Sequence, residues 1–138
     1  MKKLLKVFGI TISILLLSFL ILRIYPFGDN SIVVIDANTQ YITFLGYLKT
    51  VLNGSNDFKY TFSATLGQNF VPLLGYYLMS LFNILVIFFK PENIKILFTL
   101  LIIIKIGLCS VTMEYYLEKK YKKNTWIFSV CYGLMAYN

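Results

Sequence analysis

Long apolar stretches constrain this chain more than any other feature. Residues 7–22 and 70–89 carry no charged side chain, and residues 94–117 carry few. Of all residues, 58% are hydrophobic and the mean hydropathy is +0.71, which is too apolar for an ordinary soluble core. Because a helix satisfies its own backbone polar groups in lipid, the pattern predicts an all-α, multi-span membrane helical bundle.

The first apolar stretch predicts a membrane span over residues 4–25. Lys6 and Arg23 flank its uncharged part and can extend to the two interfaces. A cleavable signal peptide is the alternative, but no small-residue cleavage site follows the apolar run, so we favour a retained anchor. The positive-inside rule then places Lys2 and Lys3, and with them the N-terminus, in the cytoplasm.

A second span is predicted over residues 94–117. Its C-terminal flank, "EKKYKKN", carries four lysines within five residues, so the flank should be cytoplasmic and the span should run inward. We interpret Glu114 and Glu118 as charges that balance these lysines. The lysines cluster at segment ends and do not alternate with aromatic residues over a surface, so no nucleic acid is expected as a partner.

The orientation of that flank bears on residues 70–89. A full crossing there would put the lysine-rich flank outside, so we predict an interfacial or re-entrant helix. An ordinary span, with inverted topology beyond it, is the alternative. Residues 125–138 have Trp126 near their start and fall short of the ~20 residues that a span needs. We therefore expect them to be the start of a third span. The whole chain is then expected to be the N-terminal portion of a larger bundle.

The predicted outer loop, residues 26–69, is long enough to be functional in its own right. Within it, residues 38–52 have the apolar spacing of one helical face, and Asn53-Gly54 would end the helix. We expect this helix to lie in the membrane interface, where its positive N-terminal end could receive a lipid-borne phosphate. The apolar face consists of Tyr41, Phe44, Leu45, Leu48 and Leu52.

Asp36 stands at the start of that helix, in a chain with 6 acidic residues and no histidine. Any acid/base chemistry would therefore have to use carboxylates. Local physics offers a simpler role, since Asp36 or Asn38 could cap the helix and contribute ~1 kcal/mol. Spacing does not decide between a cap and a reactive carboxylate. The acidic residues form no Asp-x-Asp pair, so the sequence demands no metal site.

Lys105 lies near the middle of the second predicted span. An ionised lysine there costs on the order of 3 kcal/mol unless it is paired or hydrated. Two interpretations stay open: the lysine is neutralised by a carboxylate from another span, or it contacts the substrate.

Three segments together carry a family resemblance. The stretches "YPFGDNSIVVIDANTQYITFLGYLKTVLNG", "FSATLGQNFVPLLGYYLMSLFN" and "LLIIIKIGLCSVTMEYYLEKKY" resemble the opening of the YfhO-type bacterial membrane proteins, which are similar to glycosyltransferases of the GT-C class. The most specific shared positions are Asp36, Gln40 and Tyr41, the pair Gly67 and Asn69, and Tyr76 with Tyr77.

The resemblance implies a multi-pass protein of the bacterial cell membrane. Such an enzyme takes sugar from a polyprenyl-phosphate carrier at the outer leaflet and transfers it to a cell-envelope polymer of the teichoic-acid type. The expected partners are therefore the carrier-linked sugar, the polymer acceptor, membrane lipid and the remainder of the bundle, and a divalent cation is left open as a cofactor. The resemblance implicates Asp36 as catalytic base and Gln40, Tyr41 and Asn69 as substrate contacts. Lys105 is a further candidate substrate contact, from its position within the second span.

A function of another class stays open beside the enzyme. The chain could belong to a non-enzymatic multi-span membrane subunit or lipid-handling protein, in which Asp36 only caps its helix. These 138 residues alone are not expected to form an active enzyme.

Overall fold

Helices make up most of the chain, and the all-α prediction is confirmed. The computed structural model describes residues 2–62, 66–121 and 124–135. Its α-helices are α1 (Lys2–Ile21), α2 (Ile42–Leu52), α3 (Phe70–Leu73), α4 (Ile94–Tyr121) and α5 (Trp126–Gly133). Two π-helical turns cover Ala37–Tyr41 and Leu74–Leu78, and 3₁₀ helices cover Leu81–Phe88 and Pro91–Asn93.

The sequence did not predict a two-stranded antiparallel ribbon, which the structure contains. Strand β1 (Tyr60–Thr61) pairs with β2 (Gln68–Asn69), with Tyr60 opposite Asn69. Gly67 precedes β2 with a φ of +102°, and a Cβ atom there would collide with the Tyr60 ring. Only glycine accepts that conformation at this close approach.

Two helices in the described part of the chain are long and apolar enough to cross a membrane. They are Lys2–Ile21 and Pro91–Tyr121. A third apolar segment is broken, because Phe70–Leu78 and Leu81–Phe88 meet at a bend of 104°. The described chain therefore offers two spans, or three if the bent pair counts as one.

The chain divides into two compact units, the first being Met1–Ile32 with Ile102–Asn138. In it, Lys3 forms an ion pair with Glu118 at 3.0 Å, and the Thr11 hydroxyl donates to Ser110 Oγ at 2.9 Å. The residue later in α1 contacts the residue earlier in α4, so these two helices run antiparallel. Threonine, serine and glycine at the contact allow a close approach of helices in lipid.

Helix α5 packs in the same unit and explains a wrong interpretation of Glu114. This carboxylate does not balance the lysines, because it is buried, with 1% of its surface exposed. It accepts hydrogen bonds from Ser129 Oγ at 2.7 Å and Thr125 Oγ1 at 3.1 Å. Glu118, in contrast, pairs with Lys3 as the charge pattern indicates.

The second unit, Val33–Leu101, has its own apolar core. Side chains of α2 supply the centre, so the apolar face that the sequence assigns to the membrane interface is covered by protein instead. Leu52 lies at the edge, with 42% of its surface exposed. The buried residues are Phe44, Leu45, Tyr47, Leu48, Phe70, Leu78, Val86, Ile94, Leu97 and Leu101.

The bend in the second unit is held by specific polar contacts. Buried Asn83 donates from its side-chain amide to the Leu78 carbonyl at 3.1 Å and from its backbone N–H to the Ser80 carbonyl at 2.9 Å. Lys49 on α2 donates to the Ile87 carbonyl at 3.0 Å, close to the end of the 3₁₀ helix. A cation is favourable at such a carboxyl end, so α2 also fixes the second arm of the bend.

Candidate functional site

Asp36 lies at the N-terminal end of the π-helical turn Ala37–Tyr41, which leads directly into α2. The Ile42 N–H bonds to the Ala37 carbonyl, five residues back. Such wide turns are rare within helices and occur frequently at functional sites. The turn changes the angular spacing of the side chains that follow Asp36.

The Asp36 carboxylate makes no capping hydrogen bond. Its own backbone is helical, with φ −62° and ψ −32°, and the preceding turn satisfies the first backbone donors. The Ala37 and Asn38 N–H groups bond to the carbonyls of Val34 and Ile35 at 3.0 and 3.1 Å. The helix-cap interpretation of Asp36 is therefore not supported, and the exposed carboxylate keeps free acceptor positions.

Ile35, the residue just before Asp36, has an unfavourable backbone conformation. Its φ is +45°, which for a β-branched residue is a genuine outlier. The side chain is 81% exposed, so burial of the isoleucine does not compensate. Strain of this kind costs on the order of 1–3 kcal/mol and concentrates at sites where function fixes the backbone.

A hydrogen-bonded relay joins Asp36 to the bent helix pair. The Tyr77 hydroxyl donates to Gln40 Oε1 at 2.6 Å, which orients the amide so that Gln40 Nε2 donates to Asp36 Oδ1 at 3.4 Å. Gln40 Oε1 can only accept, so Tyr77 is the donor of this pair.

Aromatic rings form one side of this relay. The Tyr41 ring meets the Tyr77 ring edge-on with centroids 4.9 Å apart and lies 5.8 Å from the Phe98 ring. Tyr76 packs edge-on against Tyr77 at 4.6 Å. Tyr76 is 80% exposed, so the wall extends outward from the relay.

The other two predicted contact residues, Asn69 and Lys105, are not members of this relay. Asn69 caps α3, where its Oδ1 accepts from the Val71 N–H at 2.9 Å. Lys105 belongs to the other compact unit and is half-buried on α4. Among the described residues, no carboxylate forms an ion pair with it. The structure thus brings together Asp36, Gln40 and Tyr41 and gives Asn69 a structural role.

Tyr77 is the relay member that sequence reasoning did not assign. The polar and small residues within residues 70–89 were visible signals, as was the Tyr76-Tyr77 pair, but a contact across 37 positions has no periodic signature. In the part of the chain that the structure describes, no three acidic or cysteine side chains lie close enough to hold a metal.

The two long apolar helices define a helical membrane protein. The chain belongs to the family of the bacterial membrane protein YfhO, whose model matches residues 7–138. Comparisons with curated proteins and with solved structures find no match.

Proposed function

We propose that this chain is the N-terminal part of a membrane glycosyltransferase. The enzyme would transfer sugar from a polyprenyl-phosphate carrier to a cell-envelope polymer of the teichoic-acid type at the outer leaflet. Asp36 would act as the general base that removes the proton of the acceptor hydroxyl. Gln40 and Tyr77 would hold the carboxylate in place, and Tyr41 would contact the sugar.

One observation carries the proposal: the Asp36 carboxylate is exposed, uncapped and held through Gln40 by Tyr77. An aspartate that merely capped its helix would spend its acceptor positions on backbone N–H groups. Here those positions are open to a hydroxyl donor. The strained Ile35 next to it supports a function for this carboxylate.

An apolar cavity in the same unit supports a lipid-linked donor. It measures about 210 Å³ and lies at the bend of the broken helix. The π-helical turn that carries Tyr77 also contributes Leu74 and Leu78 to its lining, and α2 contributes Leu48 and Leu52. The first isoprene units of a carrier could occupy it.

The antiparallel packing of α1 and α4 supports an outer location for Asp36. If both helices cross the membrane, α1 ends and α4 begins on the same side of it. The chain between them therefore crosses the membrane an even number of times, or not at all. The 3₁₀ helix Leu81–Phe88 has 8 residues, about 16 Å at a rise of 2.0 Å per residue, against a hydrocarbon core of ~30 Å. That length favours a re-entrant or interfacial bent pair, with the lysine-rich ends in the cytoplasm.

Sugar transfer by the intact protein tests this proposal. We expect Asp36→Asn to lower transfer from a labelled polyprenyl-phosphate sugar by roughly 10²-fold or more, since a general base contributes that much. Asp29→Asn is the matched control, because Asp29 is another exposed aspartate outside the relay. Undiminished transfer by Asp36→Asn, with the variant still inserted in the membrane, would exclude the catalytic role.

A further inference from the structure

The end of the first unit where α1 begins and α4 finishes collects positive charge. The ion pair between Lys3 and Glu118 brings the two helix ends together, and Lys6 lies over the Trp126 ring at 5.4 Å. We define the lysine collar as the exposed lysines at this end, which are Lys2, Lys3, Lys6, Lys119 and Lys120.

Little negative charge offsets the lysine collar. Glu118 is already paired with Lys3, and buried Glu114 is occupied by Ser129 and Thr125. The other four collar lysines have no carboxylate partner among the described residues. Such a cluster at the end of a membrane helix attracts anionic headgroups.

Aromatic side chains lie at the same level as the collar. Lys119 is 4.5 Å from the centroid of the Tyr115 ring, and Lys120 is 5.3 Å from that of Tyr121. Tyrosine and tryptophan favour the boundary between headgroups and acyl chains. The rings therefore place the ammonium groups at the depth where lipid phosphates lie.

An apolar cavity opens directly beside these rings. It measures about 410 Å³ and is lined by Met113, Leu117, Tyr121, Asn124, Thr125 and Phe128. That size falls within the range of small-molecule sites, roughly 300–1,000 Å³. Tyr121 belongs both to the cavity wall and to the cation–π contact with Lys120, so an apolar slot and a cationic rim adjoin.

We propose that this end binds an anionic phospholipid. The phosphate of the lipid lies at Lys119 and Lys120, and one acyl chain enters the cavity lined by Leu117, Tyr121 and Phe128. The occupant is a membrane lipid and not a free phosphate. The lysines match a charged headgroup, the tyrosine rings lie at the level of the membrane interface, and the apolar cavity matches an acyl chain. The site is separate from the Asp36 relay and does not depend on the proposed sugar transfer.

Trp126 allows a direct test, because it follows the cavity residue Thr125, its ring lies under the collar residue Lys6, and the chain contains 1 tryptophan. The chain is placed in phosphatidylcholine vesicles that contain a small fraction of a lipid brominated on its acyl chain. The brominated lipid is phosphatidylglycerol in one sample and phosphatidylcholine in the other, at the same fraction. Bromine quenches tryptophan fluorescence on contact, and a Trp126→Phe variant gives the background. We expect brominated phosphatidylglycerol to quench with an apparent affinity at least about fivefold higher, the gain that one lysine near the surface contributes.

Lysine variants test whether the preference for the anionic lipid depends on the lysine collar or on positive charge anywhere in the chain. Lys119→Gln with Lys120→Gln should bring the two lipids close to equal quenching, whereas Lys90→Gln with Lys95→Gln, at the other end of α4, should leave the preference unchanged. Raising the salt from 0.15 M to 1 M should weaken it, because the Debye length falls from about 8 to 3 Å.

Three results would overturn the proposal. The first is equal quenching by both lipids with the unaltered chain. The second is an equal loss of preference in the Lys90 and Lys95 control. The third is displacement of the brominated lipid by soluble glycerol phosphate, which would show that the collar recognises phosphate without its acyl chain.

Discussion

The two compact units differ in where they place a carboxylate and in how regular their helices are. In the first unit, regular helices bury hydroxyls and a carboxylate and pair each of them, as with Thr11 and Ser110 or Glu114 and Ser129. In the second unit, helices are interrupted by π-helical turns and a sharp bend, and the carboxylate of Asp36 is left exposed. Paired polar groups hold helices together, whereas an exposed, oriented acceptor is available for chemistry.

The backbone beside Asp36 is also strained. Around Asp36 a β-branched residue is forced to positive φ, and the helix widens immediately afterwards. Every buried side-chain nitrogen and oxygen in the described residues has a hydrogen-bond partner, so the irregular backbone is not a sign of poor packing. A second positive φ outside glycine lies at Arg23 in the first unit, at +51°, and a second π-helical turn carries Tyr77.

The largest stability effect is expected in the closely packed first unit. In Gly133→Ala the new Cβ would overlap Ser110 Oγ and come within 3.2 Å of the Ile106 carbonyl, which should destabilise the protein by about 1–3 kcal/mol. Gly9→Ala on α1 is the control, because a Cβ there has nothing within 4 Å. It should stabilise the helix by up to ~1 kcal/mol. Unfolding of the two variants by denaturing detergent measures the difference, and equal stability would contradict close packing at Gly133.

A smaller effect, of opposite sign, is expected beside Asp36. Ile35→Gly removes the penalty of a left-handed side-chain conformation, so it should be more stable than Val34→Gly by about 1–2 kcal/mol. Both residues are exposed, and both changes add the same glycine flexibility, which cancels in the comparison. Thermal unfolding of the two variants is the measurement. An Ile35→Gly variant less stable than Val34→Gly would contradict backbone strain at Ile35.

The smallest stability effect should come from the relay itself. Tyr77→Phe removes the donor to Gln40 and should cost about 1 kcal/mol, while Tyr76→Phe, at a ring that is 80% exposed, should cost almost nothing. If the relay orients Asp36, only Tyr77→Phe should also lower sugar transfer. Equal transfer by both variants would separate Tyr77 from the chemistry.

Much of the fold could be predicted because it follows from local periodicity and hydropathy. The two apolar helices appear in the structure as α1 and α4, and the helix predicted over residues 38–52 corresponds to the helical segment that begins at Ala37 and ends at Leu52. The bend between Leu78 and Leu81 was visible only as scattered polar residues in an apolar stretch. Its angle depends on Asn83 and Lys49, whose partners are set by tertiary packing.

The candidate site was predicted in part. Residue type drew attention to Asp36, and the family resemblance added Gln40 and Tyr41. Tyr77 completes the relay through a contact that no sequence period encodes. Glu114 was misinterpreted for the same reason, since its neighbour Ser129 lies on α5 and its neighbour Thr125 directly precedes that helix. Charge patterns near a helix end indicate the side of the membrane, but they do not reveal which carboxylate turns inward.

The proposed sugar transfer requires Asp36 and its segment to face the outside while the C-terminal end of α4 faces the cytoplasm. Single cysteines at positions 57 and 121, in a background where Cys109 and Cys131 are replaced, test this with a membrane-impermeant thiol reagent on intact cells. We predict labelling of position 57 from outside, and labelling of position 121 only after permeabilisation. Labelling of both positions from outside would mean that residues 70–89 cross the membrane and would contradict the account.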